Sequence, residues 1–299
     1  MKLLIISFKD LKGGAARATF RLQIAFEKSS EKINSKMRTC IKYSDKKNII
    51  APTSYLKKGI SLLKMYITTK LQILQKTNNE VMHSYNWFPS FLDREINNCD
   101  ADIVNLHWVQ NEMISIESIS RINKPIVWTL HDSWAFCGSE HYPNGLEDDR
   151  YIYGYKKNNR PANEYGIDLN RLSWERKIKN WKKSFKIVCP SKWMAKCARE
   201  SYLFKDSDIY VIPNPLPLNI FNPWPKENAK SLFGLTSDLP VILFGALSGN
   251  TDKRKGWDLL YKSLKILESQ NFKFQIVILG QSEKRVDLDL KSKVTYIQR

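Results

Sequence analysis

Short apolar runs alternate with longer stretches of helical spacing along almost the whole chain. Leu3–Ser7 has the unbroken apolar character of a strand buried on both faces, and Ala15–Lys28 carries Ala18, Leu22, Ala25 and Phe26 on one side of a helix. Arg38–Tyr43 reads as a strand. Lys57–Lys76 has helical spacing, with Ile60, Leu63, Ile67, Leu71 and Leu74 on one side and Lys58, Lys64 and Lys70 elsewhere. Asp102–Trp108 and Pro125–Leu130 are further strands, separated by a Ser/Ile/Glu segment of helical character. This rhythm predicts an α/β protein with a parallel sheet covered by helices on both faces.

The stretch from His131 to about Asn170 is rich in Gly, Pro, Asn and Tyr, and a loop of that length inside a compact domain is usually functional. Arg171–Lys183 follows as a basic helix, Lys186–Cys189 as a strand, and Ser191–Ser201 as a helix whose first turn Ser191 can cap. Asp208–Ile212 is a short strand. Behind it Pro213, Pro215 and Pro217 crowd into five residues, the strongest hinge signal in the chain. The rhythm then restarts with helix Glu227–Phe233, strand Val241–Gly245, helix Trp257–Gln270 and strands Lys273–Leu279 and Lys293–Ile297. Two domains are therefore expected, residues 1–212 and residues 213–299, the second about half of a doubly wound domain built from two βαβαβ units.

Composition adds charge to this picture. The 299 residues carry a formal net charge of +18, which points to a polyanionic neighbour: nucleic acid, anionic lipid or a phosphorylated substrate. No helix-turn-helix, zinc-finger or RNA-binding pattern accompanies the charge, so no nucleic-acid partner is expected. Arg171–Lys186 holds seven Lys/Arg against Glu175 alone, with Trp174 and Trp181 interleaved; this segment and Lys57–Lys76 are the two candidates for contact with an anionic membrane, the alternative being a solvated helix face. The five cysteines are scattered without a CxxC pair, which suits a reducing compartment. The apolar runs are too short to span a bilayer, and the expected location is cytoplasmic, peripheral on the inner face of the plasma membrane.

Three clusters carry candidate chemistry. Gly13 and Gly14 stand between the first strand and first helix, where backbone N–H groups and a helix N-terminus can approach a phosphate, although a glycine pair also simply makes a turn. The run His131–Pro143 begins where a buried strand ends and gathers His131, Asp132, Trp134, Glu140 and His141. His131, Cys137 and His141 lack a zinc-site spacing and a fourth ligand, so the competing readings are a ligand site and an aromatic-packed loop. Gly245 ends a strand of the second domain, and Arg254, Lys255 and Gly256 open the next helix, where cations can neutralise a diphosphate or merely meet solvent. Two Asp-x-Asp pairs, Asp206/Asp208 and Asp287/Asp289, have no glycine-rich or aromatic setting and read as surface acids.

Lys12–Ala16, Thr129–Pro143, Cys189–Met194, Ile212–Pro215 and Lys255–Leu260, in this order and spacing, resemble family 4 glycosyltransferases of the GT-B fold, above all those that build bacterial surface polysaccharide of the colanic-acid and O-antigen type. The similarity runs over essentially the whole chain, and His131–Pro143 is its most specific piece. It implies two Rossmann-like doubly wound domains facing across a cleft, the acceptor on the first and the nucleotide on the second. It also implies a retaining transfer of a sugar from a nucleotide-sugar co-substrate to a lipid-linked saccharide acceptor, with no metal and no other cofactor. By the resemblance, Gly14, with Gly13 beside it, approaches the donor phosphate. His131 contacts the transferred sugar and Lys255 holds the leaving diphosphate, these two being the catalytic candidates. Gly245 and Arg254 join the donor side, and Asp132, Trp134, Glu140 and His141 are candidates for the acceptor side. Two departures stand out. Ala246 occupies a place where the family commonly has Arg, which Arg254 is a candidate to replace, and no two glutamates stand eight positions apart, so the family's Glu-x7-Glu motif is missing. The expectation is a chain truncated at its C-terminus with impaired transfer, or a non-catalytic remnant that binds saccharide or membrane.

Overall fold

The structure is a computed structural model, and it describes residues 1–145, 148–236, 238–245, 252–280 and 289–297. Chain contacts divide it into two compact units, Met1–Pro217 and Leu218–Arg299. In the first, the order is β1 (Lys2–Lys9), α1 (Gly14–Lys28), β2 (Asn34–Ile41), β3 (Ile49–Ile50), α2 (Tyr55–Leu71), β4 (Gln75–Lys76), α3 (Leu92–Asn98), β5 (Ile103–Leu106), α4 (Ile116–Ser120) and β6 (Ile126–Thr129). It continues through α5 (Arg150–Tyr153), β7 (Tyr165–Gly166), α6 (Leu169–Asn180), β8 (Lys186–Cys189), α7 (Lys192–Glu200) and β9 (Asp208–Val211).

Seven strands form one parallel sheet in the order β3-β2-β1-β5-β6-β8-β9. Strand β1 lies inside it with Leu3, Ile5, Ile6 and Phe8 buried, the reason its sequence is apolar on both faces. The chain moves outward from β1 to β2 and β3, then returns to the other side of β1 with β5. The order therefore reverses between β1 and β5, and in an open parallel sheet that reversal opens a crevice at the carboxyl ends of the strands.

The main core is built around Trp128 of β6, which packs edge-on against Trp181, Phe185 and Phe204 with ring centroids 5.2, 5.5 and 6.4 Å away. Ser191 caps α7 by accepting from the Met194 N–H at 3.2 Å, and Asp168 caps α6 in the same way through the Arg171 N–H at 2.9 Å.

Four elements differ from the sequence reading. The buried side of α1 runs through Ala16, Ala18, Thr19 and Gln23; Gln23 is tolerated inside because its amide donates to the Ser35 carbonyl at 3.0 Å. The helix expected to reach Lys76 ends at Leu71, because Gln75 and Lys76 leave it to pair antiparallel with Gly166 and Tyr165. Gly166 sits at φ +73°, and an added Cβ would collide with the Leu74 carbonyl, so this pairing needs glycine there. Finally, the short α3 and β3 have no counterpart in the hydrophobic pattern, since seven and two residues are too few to show a period.

The second unit contains α8 (Lys226–Leu232), β10 (Val241–Gly245), α9 (Trp257–Ser269), β11 (Gln275–Leu279) and β12 (Val294–Ile297). Its strands make a parallel sheet, β10-β11-β12, and Leu264 of α9 packs with Phe274, Ile276 and Ile278. Among the described residues of both units, no helix is long and apolar enough to cross a membrane.

Candidate functional site

The carboxyl ends of β1, β5 and β6 are adjacent at the crevice of the first unit. After β1 the chain turns at Asp10, a buried carboxylate that accepts the N–H groups of Tyr43 and Ser44, both at 2.9 Å. Gly13 then adopts φ +110°, a conformation that suits glycine, and α1 starts at Gly14 with no side-chain cap. No atom lies within 4 Å of where a Cβ would sit on Gly13 or Gly14, so the backbone here is open to a ligand. Lys12 brings its ammonium to 4.4 Å from the centre of the Tyr43 ring.

The ends of β5 and β6 carry buried polar side chains. Asn105 lies on β5, and its amide nitrogen donates to the Val127 carbonyl at 2.9 Å. Its amide oxygen lies 2.8 Å from His107 Nε2, and His107 Nδ1 lies 2.9 Å from Nε2 of His131. The two imidazoles stack with centroids 5.2 Å apart. Burial lowers the His131 imidazole to about 4, with the neighbouring Asp132 charge pulling the other way. Burial also drives His107 well down, and the adjacent His131 adds to this.

Asp132 points to the other side of the loop. Its carboxylate accepts from Trp108 Nε1 at 2.8 Å, Gln110 Nε2 at 3.2 Å, the Trp134 N–H at 3.1 Å and His141 Nδ1 at 2.7 Å. Burial alone would raise this carboxyl, but the His141 charge and the hydrogen bonds outweigh it and hold the group below the usual carboxylate range. His141 Nε2 lies 2.9 Å from Ser84 Oγ, so Ser84, His141 and Asp132 follow the hydrogen-bond order of an acyl-transfer triad. All three are buried, with Ser84 1% exposed, and a nucleophile has no path to a substrate there. The set works as a brace.

The rest of the loop is held by Lys177, which is 0% exposed. Its ammonium donates to the carbonyls of Trp134, Cys137 and Gly138 and lies 3.9 Å from the centre of the Trp134 ring. Burial pushes Lys177 down to about 7 and pushes the neighbouring Glu140 carboxyl up to about 7, against the hydrogen bond that Tyr155 donates to Glu140. Losing this donor would leave three buried carbonyls unsatisfied, at about 1–3 kcal/mol each.

The structure thus joins Trp134 and His141 to Asp132, turns His131 to His107, and bonds Glu140 to Gly138 and Tyr155, while Gly13 and Gly14 follow β1 at the same edge of the sheet. Trp134 is 0% and Glu140 1% exposed, and with Asp132 and His141 they contact the interior of the loop; His131 is only partly buried. Sequence reasoning missed Asn105, His107, Trp108, Gln110, Ser84 and Lys177. The available signal was polar residues at the end of a buried strand, and one lysine between Trp174 and Trp181 on a basic helix. Among the described residues no group of three or more His, Cys, Asp or Glu side chains is placed to hold a metal ion.

In the second unit, Gly245 ends β10, and Asp252 accepts from both the N–H and the guanidinium of Arg254, the closest contact being 2.7 Å. Lys255 is exposed, and Gly256 at φ +72° leads into α9 with no side-chain cap. Ala246 and Asp287 lie outside the described residues. Asp289 is exposed and pairs with Lys265 at 2.9 Å, while Asp208 pairs with Lys186.

Helix α6 is not a free cationic face. Arg176 is bonded to Glu117 at 2.7 Å and to the carbonyls of Tyr85 and Asn86, Lys177 is buried, and Trp181 belongs to the core. Helix α2 is the opposite: Leu56, Ile60, Leu62, Leu63 and Tyr66 are all exposed, and Thr68 is its one buried residue.

The low titration of His131 predicts that the ring is still neutral at pH 5, where a free imidazole is mostly charged. Following its ring signals by NMR should give a midpoint near pH 4. Since the unfolded chain takes up this proton from about pH 6.5 downward, the group withdraws stability as pH falls from there toward 4. A midpoint near 6.5 would contradict the burial argument.

The family model for Glycosyltransferase Family 4 matches residues 73–219. Sequence comparison with curated proteins finds no match. Among solved structures, the chain is similar to WaaG, a glycosyltransferase involved in lipopolysaccharide biosynthesis, with TM-score 0.52 and 14% identity over 99% of this chain and 70% of that one. It is also similar to Anabaena HepE in complex with UDP-glucose, with TM-score 0.53 and 11% identity over 100% of this chain and 69% of that one. The fold of this chain is that of the GT-B glycosyltransferases, and residues 73–219 carry the Family 4 pattern.

Proposed function

We propose that this chain is a glycosyltransferase that takes a sugar from a nucleotide-sugar donor, with retention at the anomeric carbon and without a metal, for synthesis of bacterial surface polysaccharide of the colanic-acid or O-antigen kind. The observation that carries the reading is that an open glycine turn follows β1 and a partly buried histidine held neutral follows β6, both at the carboxyl edge of one parallel sheet. The backbone of Gly13 and Gly14 and the N-terminus of α1 suit a donor phosphate. His131 suits a hydroxyl of the transferred sugar, since an uncharged imidazole nitrogen bonds it without a charge of its own. In the second unit, Lys255, with Arg254 and Gly245 nearby in sequence, suits the diphosphate, whose negative charge grows as the glycosidic bond breaks. Asp132, Trp134, Glu140 and His141 we assign to holding the loop, because all four are buried and each is hydrogen-bonded within the first unit.

The nucleotide-sugar is a co-substrate, and no further cofactor is needed for the chemistry proposed. The acceptor in this reading is a lipid-linked saccharide. Helix α2 supports it: the segment between Asp45 and Glu80 holds seven lysines and no acid, beside a row of exposed apolar side chains. That combination suits an anionic membrane surface, with the protein peripheral on its cytoplasmic side.

Two measurements test this. Saturation-transfer NMR with UDP-hexoses should show sugar protons in contact with the protein in the presence of EDTA, with the effect lost in His131→Ala; contact that requires a divalent metal or survives the substitution contradicts the site. Sedimentation with phosphatidylglycerol vesicles should retain the chain at low salt and release it as salt rises. Leu62→Glu combined with Leu63→Glu should abolish retention without affecting the fold, both side chains being exposed.

A further inference from the structure

We infer that Asn105 is a positioning residue: it fixes which nitrogen of His131 carries hydrogen, so that Nδ1 is offered to a bound ligand as a hydrogen-bond acceptor. The argument follows the bonds outward from the sheet. The Val127 carbonyl can only accept, so the Asn105 amide must turn its nitrogen toward it, at 2.9 Å; the same nitrogen lies 3.2 Å from Thr129 Oγ1. The amide oxygen is left facing His107 Nε2 at 2.8 Å, and an amide oxygen cannot donate. His107 therefore carries its hydrogen on Nε2.

A neutral ring protonated there is bare at Nδ1, and that atom lies 2.9 Å from His131 Nε2. One of the two must donate, and only His131 can. Its single hydrogen is thereby committed to Nε2, and Nδ1 keeps a free lone pair. Nδ1 has no hydrogen-bond partner among the described residues, and the ring is only partly buried, so the lone pair faces outward at the carboxyl edge of the sheet. The main chain of His107 is held in place: its N–H donates to the Ile6 carbonyl at 2.9 Å and its own carbonyl accepts from Trp128 Nε1 at 3.3 Å.

Without the Asn105 oxygen the two rings would have a second arrangement of equal bonding. His107 would carry hydrogen on Nδ1 and donate to His131 Nε2, and His131 would present a donor at Nδ1 in place of an acceptor. Asn105 selects between the two. A site with an acceptor at this point favours a ligand group that can donate, a hydroxyl, over an ether or carbonyl oxygen. The tautomer assignment stands on the bonds alone; that the hydroxyl belongs to a sugar rests on the function proposed above.

Two-bond ¹H–¹⁵N correlation spectra of the ¹⁵N-labelled full chain at pH 7 test the inference, with the His131 signals assigned through His131→Asn. Wild type should show a protonated Nε2 and a bare Nδ1 in both His107 and His131. Folded Asn105→Leu should move the two nitrogens of His131 toward averaged values, and the affinity for UDP-glucose should fall about tenfold, the size of one hydrogen bond. A wild-type His131 protonated on Nδ1, or an unchanged pattern in folded Asn105→Leu, overturns the relay. Should that variant fail to fold, the wild-type spectrum decides by itself. A shifted pattern with unchanged affinity for UDP-glucose supports the relay and retires the sugar-contacting role of His131.

Discussion

One buried negative charge holds together the part of the molecule where a ligand can bind. Asp132 follows β6, and its four donors come from the segment after β5, from its own loop backbone and from His141. A carboxylate with that many donors stays ionised in spite of burial, and removing it would strand Trp108, Gln110 and His141 with unmet bonds in a dry interior. The loop from Ser133 to His141 has no regular ladder of its own; its course is set by Asp132 on one side and by the Lys177 ammonium on the other. The position of His131 is a consequence, since it is the residue between strand β6 and this anchored carboxylate.

The strand pattern was legible in the sequence wherever a strand is covered on both faces. Leu3–Ser7 falls inside β1, with apolar side chains buried on both faces, and Ser191 caps the helix it precedes. Periodicity was a poorer guide to which face is buried. It gave α2 an apolar side through Ile60, Leu63 and Ile67, all of which are exposed, because the spacing of apolar residues says that a helix has such a side and not what covers it.

The chemistry was legible as a density of polar and aromatic residues at a strand end, which located His131 and Asp132. What the pattern could not carry is partnership across the fold. Asn105 and His107 sit in a strand whose run reads as plain core, and Lys177 sits in a helix whose charge reads as solvated surface. Their importance comes from the Val127 carbonyl, from His131 and from three loop carbonyls, none of them near in sequence. The same reason explains why two basic segments of similar composition diverge. Arg176 and Lys177 of α6 are taken up by Glu117 and by backbone carbonyls, whereas in α2 only Lys64 bonds a carbonyl, that of Pro89, and the exposed apolar side chains lie beside the other lysines.

The central claim is that the carboxyl ends of β1, β5 and β6 form the ligand site of the first unit. Amide hydrogen exchange on the full chain, with and without a nucleotide-sugar, tests it most directly. The account predicts slowed exchange at Gly14–Arg17 and at His131–Ser133, with the amino ends of the same strands unchanged. Protection that leaves both of those segments untouched while appearing at the amino ends of β1 and β5 would contradict it.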